Sequence, residues 1–205
     1  MTVDLIAPGA GSLAPKRRSG AYVARLVTEA AAGDEGAWNA LVQEFNGLLW
    51  GVARAHRLSD ADAADVVQAT WLRLLEHLGH LRDSSRVGAW LATTARRESL
   101  RVLRESGRVV QFGDDEPEPE SDAISPDDVL LERERDRALW QAFTRLRGRD
   151  QALLRLLVAD AEPSYEEIAA ALDMPIGGIG PTRQRALQRL RDELDTQGSL
   201  ALMTA

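Results

Sequence analysis

The chain has no cysteine in its 205 residues, which excludes disulfides and thiolate metal sites and fits a reducing compartment. Only three histidines are present. His77 and His80 lie three apart beside Glu76, but Gly79 ends the helix between them, so no metal site is expected. No apolar run approaches the roughly 20 residues that cross a membrane. No apolar h-region follows Lys16-Arg17-Arg18, so a secretory signal is not expected either; the reading is a cytoplasmic protein with no membrane partner. No segment alternates with period two for long, so strands are not expected. G-x-S-x-G and H-E-x-x-H are both missing. The nearest thing to a phosphate cradle, Gly177-Gly178-Ile179-Gly180, follows a helix where a strand would be needed. An enzyme, a cofactor and a small-molecule substrate are therefore all unsupported.

Hydrophobic residues make up 44% of the chain, enough for real cores, and runs rich in Ala, Leu and Arg favour helix. The net charge of −7 argues against an indiscriminate DNA binder. It is unevenly spread. Five arginines face two glutamates between Arg96 and Arg108, and eight acids stand without a base between Val109 and Asp128. Four arginines and no acid lie between Pro181 and Arg191. Two basic segments around an acidic one suggest two nucleic-acid contacts on a chain that must bind selectively.

The reading in order is all-α, with two small helical domains joined by an acidic flexible linker. Residues 1–20 lack periodic apolar residues and read as a disordered tail. Residues 21–106 hold four amphipathic helices. The first ends at Gly33. The second, capped by Asp34, carries Trp38, Leu41, Phe45, Leu48, Leu49 and Val52. The third, capped by Ser59 or Asp60, carries Ala64, Val67, Trp71, Leu74, Leu75 and Leu78. The fourth runs from Val87 to Glu105 with Trp90, Leu91, Ala95, Leu100 and Leu103. Residues 107–126, with three prolines and charge of one sign, form the linker. A second helical domain spans 127–195: one helix carries Leu139, Trp140 and Phe143 and is broken by Gly148, and another starts at Asp150. Residues 196–205 read as a frayed tail.

The segment from Ser164 to Arg191 is the most informative. Pro163 stops what precedes it, and Ser164 with Glu167 has capping-box spacing. Ile168, Ala169 and Leu172 follow on one face. Met174-Pro175 ends that helix and Ile176-Gly177-Gly178 turns the chain. A second helix, starting at Ile176 or Pro181, places Ile179, Ala186, Leu187 and Leu190 inward and Thr182, Arg183, Gln184, Arg185, Arg189 and Arg191 outward. Two helices around a glycine-containing turn form a helix-turn-helix pattern, and Arg and Gln read guanine and adenine edges in the major groove. A helical hairpin with a solvated basic face would give a similar pattern. Elsewhere, Asp65, Gln68 and Trp71 share a helix face suited to docking a partner. Arg96, Arg97 and Arg101 follow Trp90 and Thr94 on another helix, a mix that suits single-stranded DNA.

D-A-A-D-V-V-Q-A-T-W-L-R-L, W-L-A-T-T-A-R-R-E and S-Y-E-E-I-A-A-A-L-D-M-P-I-G, in that order, resemble the extracytoplasmic-function (ECF) sigma factors of bacterial RNA polymerase. The resemblance covers about residues 22–106 and 129–194. It implies that Asp65, Gln68 and Trp71 dock on core polymerase. It implies that Arg82, Asp83, Ser84, Ser85 and Arg86 capture a flipped −10 base beside Trp90, Thr94, Arg96, Arg97 and Arg101. It further implies that Thr182, Arg183, Gln184, Arg185 and Arg189 read the −35 element. Gly180-Pro181 departs from the polar or basic pair usual there and shifts the reading burden to Gln184 and Arg185. Core RNA polymerase and promoter DNA are the implied partners, with an anti-sigma factor as a candidate third. The alternatives are a stand-alone helix-turn-helix repressor, which would need a dimer interface to read two half-sites, and a helical adaptor that never touches DNA.

Overall fold

The structure is a computed structural model; it describes residues 19–107 and 130–203, and among them every regular element is helical. The tail through Arg18, the acidic segment 108–129 and the last two residues lie outside the described residues, and with them the expected tail and linker.

Among the described residues, eight α-helices run in the order α1 Gly20–Ala31, α2 Glu35–Ala55, α3 Asp60–His77, α4 Val87–Glu105, α5 Leu130–Thr144, α6 Gly148–Leu157, α7 Tyr165–Leu172 and α8 Ile179–Met203. Short 3-10 turns at Leu78–His80 and Ser84–Arg86 lie between α3 and α4, and another at Ile176–Gly178 lies between α7 and α8. The start signals work as the sequence chemistry dictates. Asp34 accepts the backbone N–H of Ala37 at 2.8 Å, and Ser59 caps α3 through Asp62 N–H. The Ser164–Glu167 capping box closes in both directions, at 3.2 and 2.7 Å.

α2 is the centre of the molecule. Leu41, Phe45, Leu48, Leu49 and Val52 are at most 1% exposed, because α1, α3, α4 and α6 surround it. Burying one such side chain contributes roughly 1.5–3 kcal/mol. α6 belongs to the second half of the chain, yet it packs on the first. Gly51 faces it, a Cβ there lying 3.6 Å from Leu156 Cδ2, and Gly47 makes room for the turn that follows α6: a Cβ there would lie 3.0 Å from the Cβ of Ala161. The core is accordingly continuous from Val23 and Leu49 through Leu153 and Leu156 to Ile168, Leu172 and Ile179. A second, smaller cluster joins Leu146, Leu154 and Ala186 under α5 and α8.

The structure corrects several expectations. On α3 the buried face is Ala63, Val66, Val67, Thr70 and Leu74, while Ala64 and Leu75 are exposed. Leu72, Leu74 and Leu75 place apolar groups on two sides of one helix, so periodicity alone misplaces the face. Leu139 and Trp140 on α5 are also exposed. Gly148 opens α6 rather than ending α5, and Asp150 sits in its first turn. α8 begins at Ile179, between the two expected starts, and runs to Met203, past Asp195. Pro181 is its third residue, where a missing N–H leaves no helical bond unmade.

Candidate nucleic-acid interface

Asp83 organises the first basic site. Its carboxylate accepts the Ser85 backbone N–H at 3.0 Å and the Ser85 hydroxyl, which closes the 3-10 turn Ser84–Arg86. The turn rests against the start of α1, where a Cβ on Gly20 would meet that of Ser85 at 3.3 Å. The expected polar loop is thus a buttressed turn. Arg82, Asp83, Ser85 and Arg86 are exposed, and Ser84 is half-buried.

α4 continues the site. Trp90 is half-buried, with its ring centroid 6.0 Å from that of His77. Thr94 donates to the Trp90 carbonyl at 2.8 Å and is only 8% exposed, while Arg97 is exposed. These groups form one wall of a cleft of about 770 Å³, together with His77, His80 and Arg82. α7 supplies the opposite wall through Glu166, Ala169 and Ala170, and Met174 and Ile176 extend it.

Three candidates of this site are already committed to carboxylates. Arg86 donates to Glu166, and Arg96 donates to Asp173 at 2.9 Å. Asp173 caps α7 in the left-handed region, φ 52°, a conformation that Asp tolerates better than most residues. Arg101 donates to Glu98 and Glu105, both at 2.8 Å, and those bonds raise its pKa further, Glu98 contributing most. Glu98 is itself buried and also holds Arg73 at 2.7 Å.

On α8, Gln184 and Arg185 are exposed, and Thr182 and Arg183 are half-exposed. Arg185 donates to the Pro181 carbonyl and to Thr182 Oγ1, both at 3.3 Å, so its guanidinium lies over the first turn. Arg183 donates to the Tyr165 hydroxyl at 3.5 Å. Arg189 behaves differently: it donates to Asp150, which is 3% exposed at the start of α6.

The third set lies on α3. Asp65 and Gln68 are exposed. Trp71 is half-buried; its Nε1 reaches Asn46 Oδ1 at 3.4 Å and its ring stands edge-on to Trp38 at 5.7 Å. Sequence reasoning missed Leu72 and Leu75, which are 56% and 57% exposed and continue the Asp65–Gln68 face at helical spacing. The surplus of leucine on α3 was the available signal. Glu166 and Asp173 were missed as well, since nothing in a local pattern points across the two halves.

Among the described residues no group of three or more His, Asp or Glu is placed to hold a metal, and no helix is long and apolar enough to cross a membrane. The model of sigma-70 region 2 matches residues 41–109. The ECF RNA polymerase sigma factor RpoE of Cereibacter sphaeroides is 30% identical over 174 residues, covering 78% of this chain and 88% of that protein. SigD of Mycobacterium tuberculosis is 28% identical, covering 86% of this chain and 85% of its own. Among solved structures, CnrH in complex with the cytosolic domain of CnrY shares the fold with a TM-score of 0.57 at 19% identity, covering 85% of this chain and 98% of that one.

Proposed function

The chain belongs to the ECF sigma factors of RNA polymerase, and from that premise we propose that it directs core polymerase to promoters by reading a −35 and a −10 element and helping to melt the latter. The observation that carries this reading is the presence of two separate arginine-bearing faces on one chain. Arg82, Arg86 and Arg97 gather around Trp90, with Arg96 beside them in sequence on α4, while Arg183, Gln184 and Arg185 lie in the first two turns of the helix that follows the α7–α8 turn. Arginine with an aromatic suits an unstacked strand, and Arg with Gln at a helix start suits the major groove. Asp83, Ser84 and Ser85 shape the turn at which a flipped base would be held.

In this reading residues 21–106 bind core polymerase and the −10 element, and 127–195 bind the −35 element. Asp65 and Gln68, extended by Leu72 and Leu75, form the polymerase-docking face, and the half-buried Trp71 anchors it from beneath. Arg189 and Arg101 support their helices more than they read DNA. The protein acts in the cytoplasm and carries out no catalysis of its own. The CnrH complex supports a protein partner besides polymerase, for which an anti-sigma factor is the candidate.

The test is docking. Asp65 is exposed, so Asp65→Arg leaves folding nearly unchanged, whereas like charges brought together at an interface can cost several kcal/mol. The variant is expected to keep its helical circular dichroism and melting temperature yet fail to co-elute with core polymerase. Wild-type behaviour by the variant removes Asp65 from the interface. A wild-type chain that does not bind core polymerase overturns the reading and favours a repressor.

A further inference from the structure

The Ser84–Arg86 turn has a neighbour that the promoter reading leaves without a role. α1 is the helix packed most extensively against that turn, and Gly20 brings its first turn close: a Cβ there would lie 3.3 Å from that of Ser85. What projects from the start of α1 therefore borders the place where a flipped base would be held.

Two surface residues project there. Tyr22 leaves 43% of its surface to solvent, although Val23, Leu26 and Val27 of the same helix are buried. Tyr22 and Arg25 are three apart and share a face, and the Arg25 guanidinium stands 5.7 Å from the centre of the Tyr22 ring. An arginine over a tyrosine at the surface is a combination on which an unpaired base stacks while its phosphate meets the cation. Arg25 also reaches Glu29 at 3.7 Å, but both side chains are largely exposed, so a phosphate can replace that carboxylate at little cost.

The sequence adds charge at the same end. Lys16, Arg17 and Arg18 stand shortly before Gly20, and at about 3.8 Å per residue their backbone cannot lie more than about 15 Å from it. No acid stands in the first turn of α1 to offset them. Asp83, the carboxylate of the neighbouring turn, is committed to Ser85.

We propose that the start of α1, Tyr22 and Arg25 together with Lys16-Arg17-Arg18, is a further contact for single-stranded DNA, holding the nucleotides that adjoin the base captured at Ser84–Arg86. This rests on the −10 assignment above. Tyr22 takes one base by stacking, Arg25 takes the phosphate beside it, and the basic run adds phosphate contacts that carry no sequence information. The strand-binding surface thereby extends past the turn and holds melted DNA of any sequence.

The test uses the chain bound to core polymerase, with core polymerase alone as background. The probe is a fluorescent single strand of random sequence, roughly 20 nucleotides long, enough to span a single-strand site. Circular dichroism checks that each variant is folded. Tyr22→Ala with Arg25→Gln is expected to bind the strand roughly fivefold more weakly or worse, the lower end of what losing one base–aromatic stack produces, while Tyr22→Phe, which keeps a ring, matches wild type. Lys16→Ser, Arg17→Ser and Arg18→Ser together are expected to flatten the slope of log affinity against log salt by about 2, because each single-strand phosphate contact contributes about 0.7. Unchanged affinity in the first variant, a Tyr22→Phe variant as weak as the first, or an unchanged salt slope in the triple variant overturns the proposal. Arg82→Gln with Arg97→Gln separates it from its premise. If that variant loses strand binding while the α1 variants do not, the −10 reading stands and the α1 contact falls; if it too binds like wild type, the −10 reading falls as well.

Discussion

His56 ends α2 with 1% of its surface exposed, and its Nε2 lies 3.3 Å from the carbonyl oxygen of Ala171 on α7. A neutral ring donating from Nε2 satisfies that contact. Burial pushes its pKa from 6.5 down to about 4, the Ala171 bond opposes that change, and the charge of Arg96 adds to it. The unfolded chain therefore binds a proton between pH 6.5 and 4 that the folded chain refuses, and stability must fall as pH drops through that window. Above pH 6.5 the group contributes no pH dependence. The full loss is about 3 kcal/mol, since each tenfold change in proton affinity is worth about 1.4 kcal/mol. His56→Gln keeps a donor but cannot titrate, so its thermal midpoint is expected to decline less than that of wild type from pH 6.5 to 4.5. Parallel declines would assign the acid sensitivity to other groups. Nothing local in the sequence marks this histidine: its partner is 115 residues away, and short-range patterns carry no information at that separation.

The helices themselves were more legible than their neighbours. Asp34, Ser59 and the Ser164–Glu167 pair act within three or four residues, so their chemistry is written locally, and the structure bears them out. α3 shows the limit. Its boundaries follow from its caps, but which of two apolar faces goes inward depends on α2 and α4, which the pattern does not contain. Arg189 shows the same limit at the candidate site: outward spacing suggests DNA, whereas the structure joins it to Asp150 and so ties α8 to the first turn of α6. Removing one partner of a buried pair leaves an uncompensated charge, at a cost of about 3–5 kcal/mol when both are buried. Arg189 is about one-third exposed, so Arg189→Ala is expected to cost about 2–3 kcal/mol, seen as a lower urea midpoint. A variant with unchanged stability but weakened −35 recognition would restore Arg189 to the reading surface.

At the scale of the whole molecule, chain length limits what the two halves can reach. The 22 residues from 108 to 129 span at most about 75 Å when fully extended, and removing about ten of them leaves a reach of about 40 Å. Such a deletion is expected to spare co-elution with core polymerase, for which the α3 face is proposed, and to abolish initiation at promoters that depend on both elements. Transcript mapping would check it; undiminished initiation would mean that the halves need not separate so far. That two arginine-rich regions flank an acidic stretch was visible in the charge distribution. That the halves share one core was not, because amphipathic periodicity shows that α6 and α7 each bury a face without showing against what.

That shared core bears on affinity. Parting the halves uncovers Ile168, Leu172 and Ile179 together with the α2 and α4 surfaces they cover, so an opened chain is a minor species unless something else covers them. Polymerase, if it accepts only that species, binds with a measured dissociation constant raised by the inverse of its population. Substitutions deep in the α2–α6–α7 contact, far from any nucleotide, would then retune occupancy of the enzyme while leaving the promoter sequences it selects unchanged.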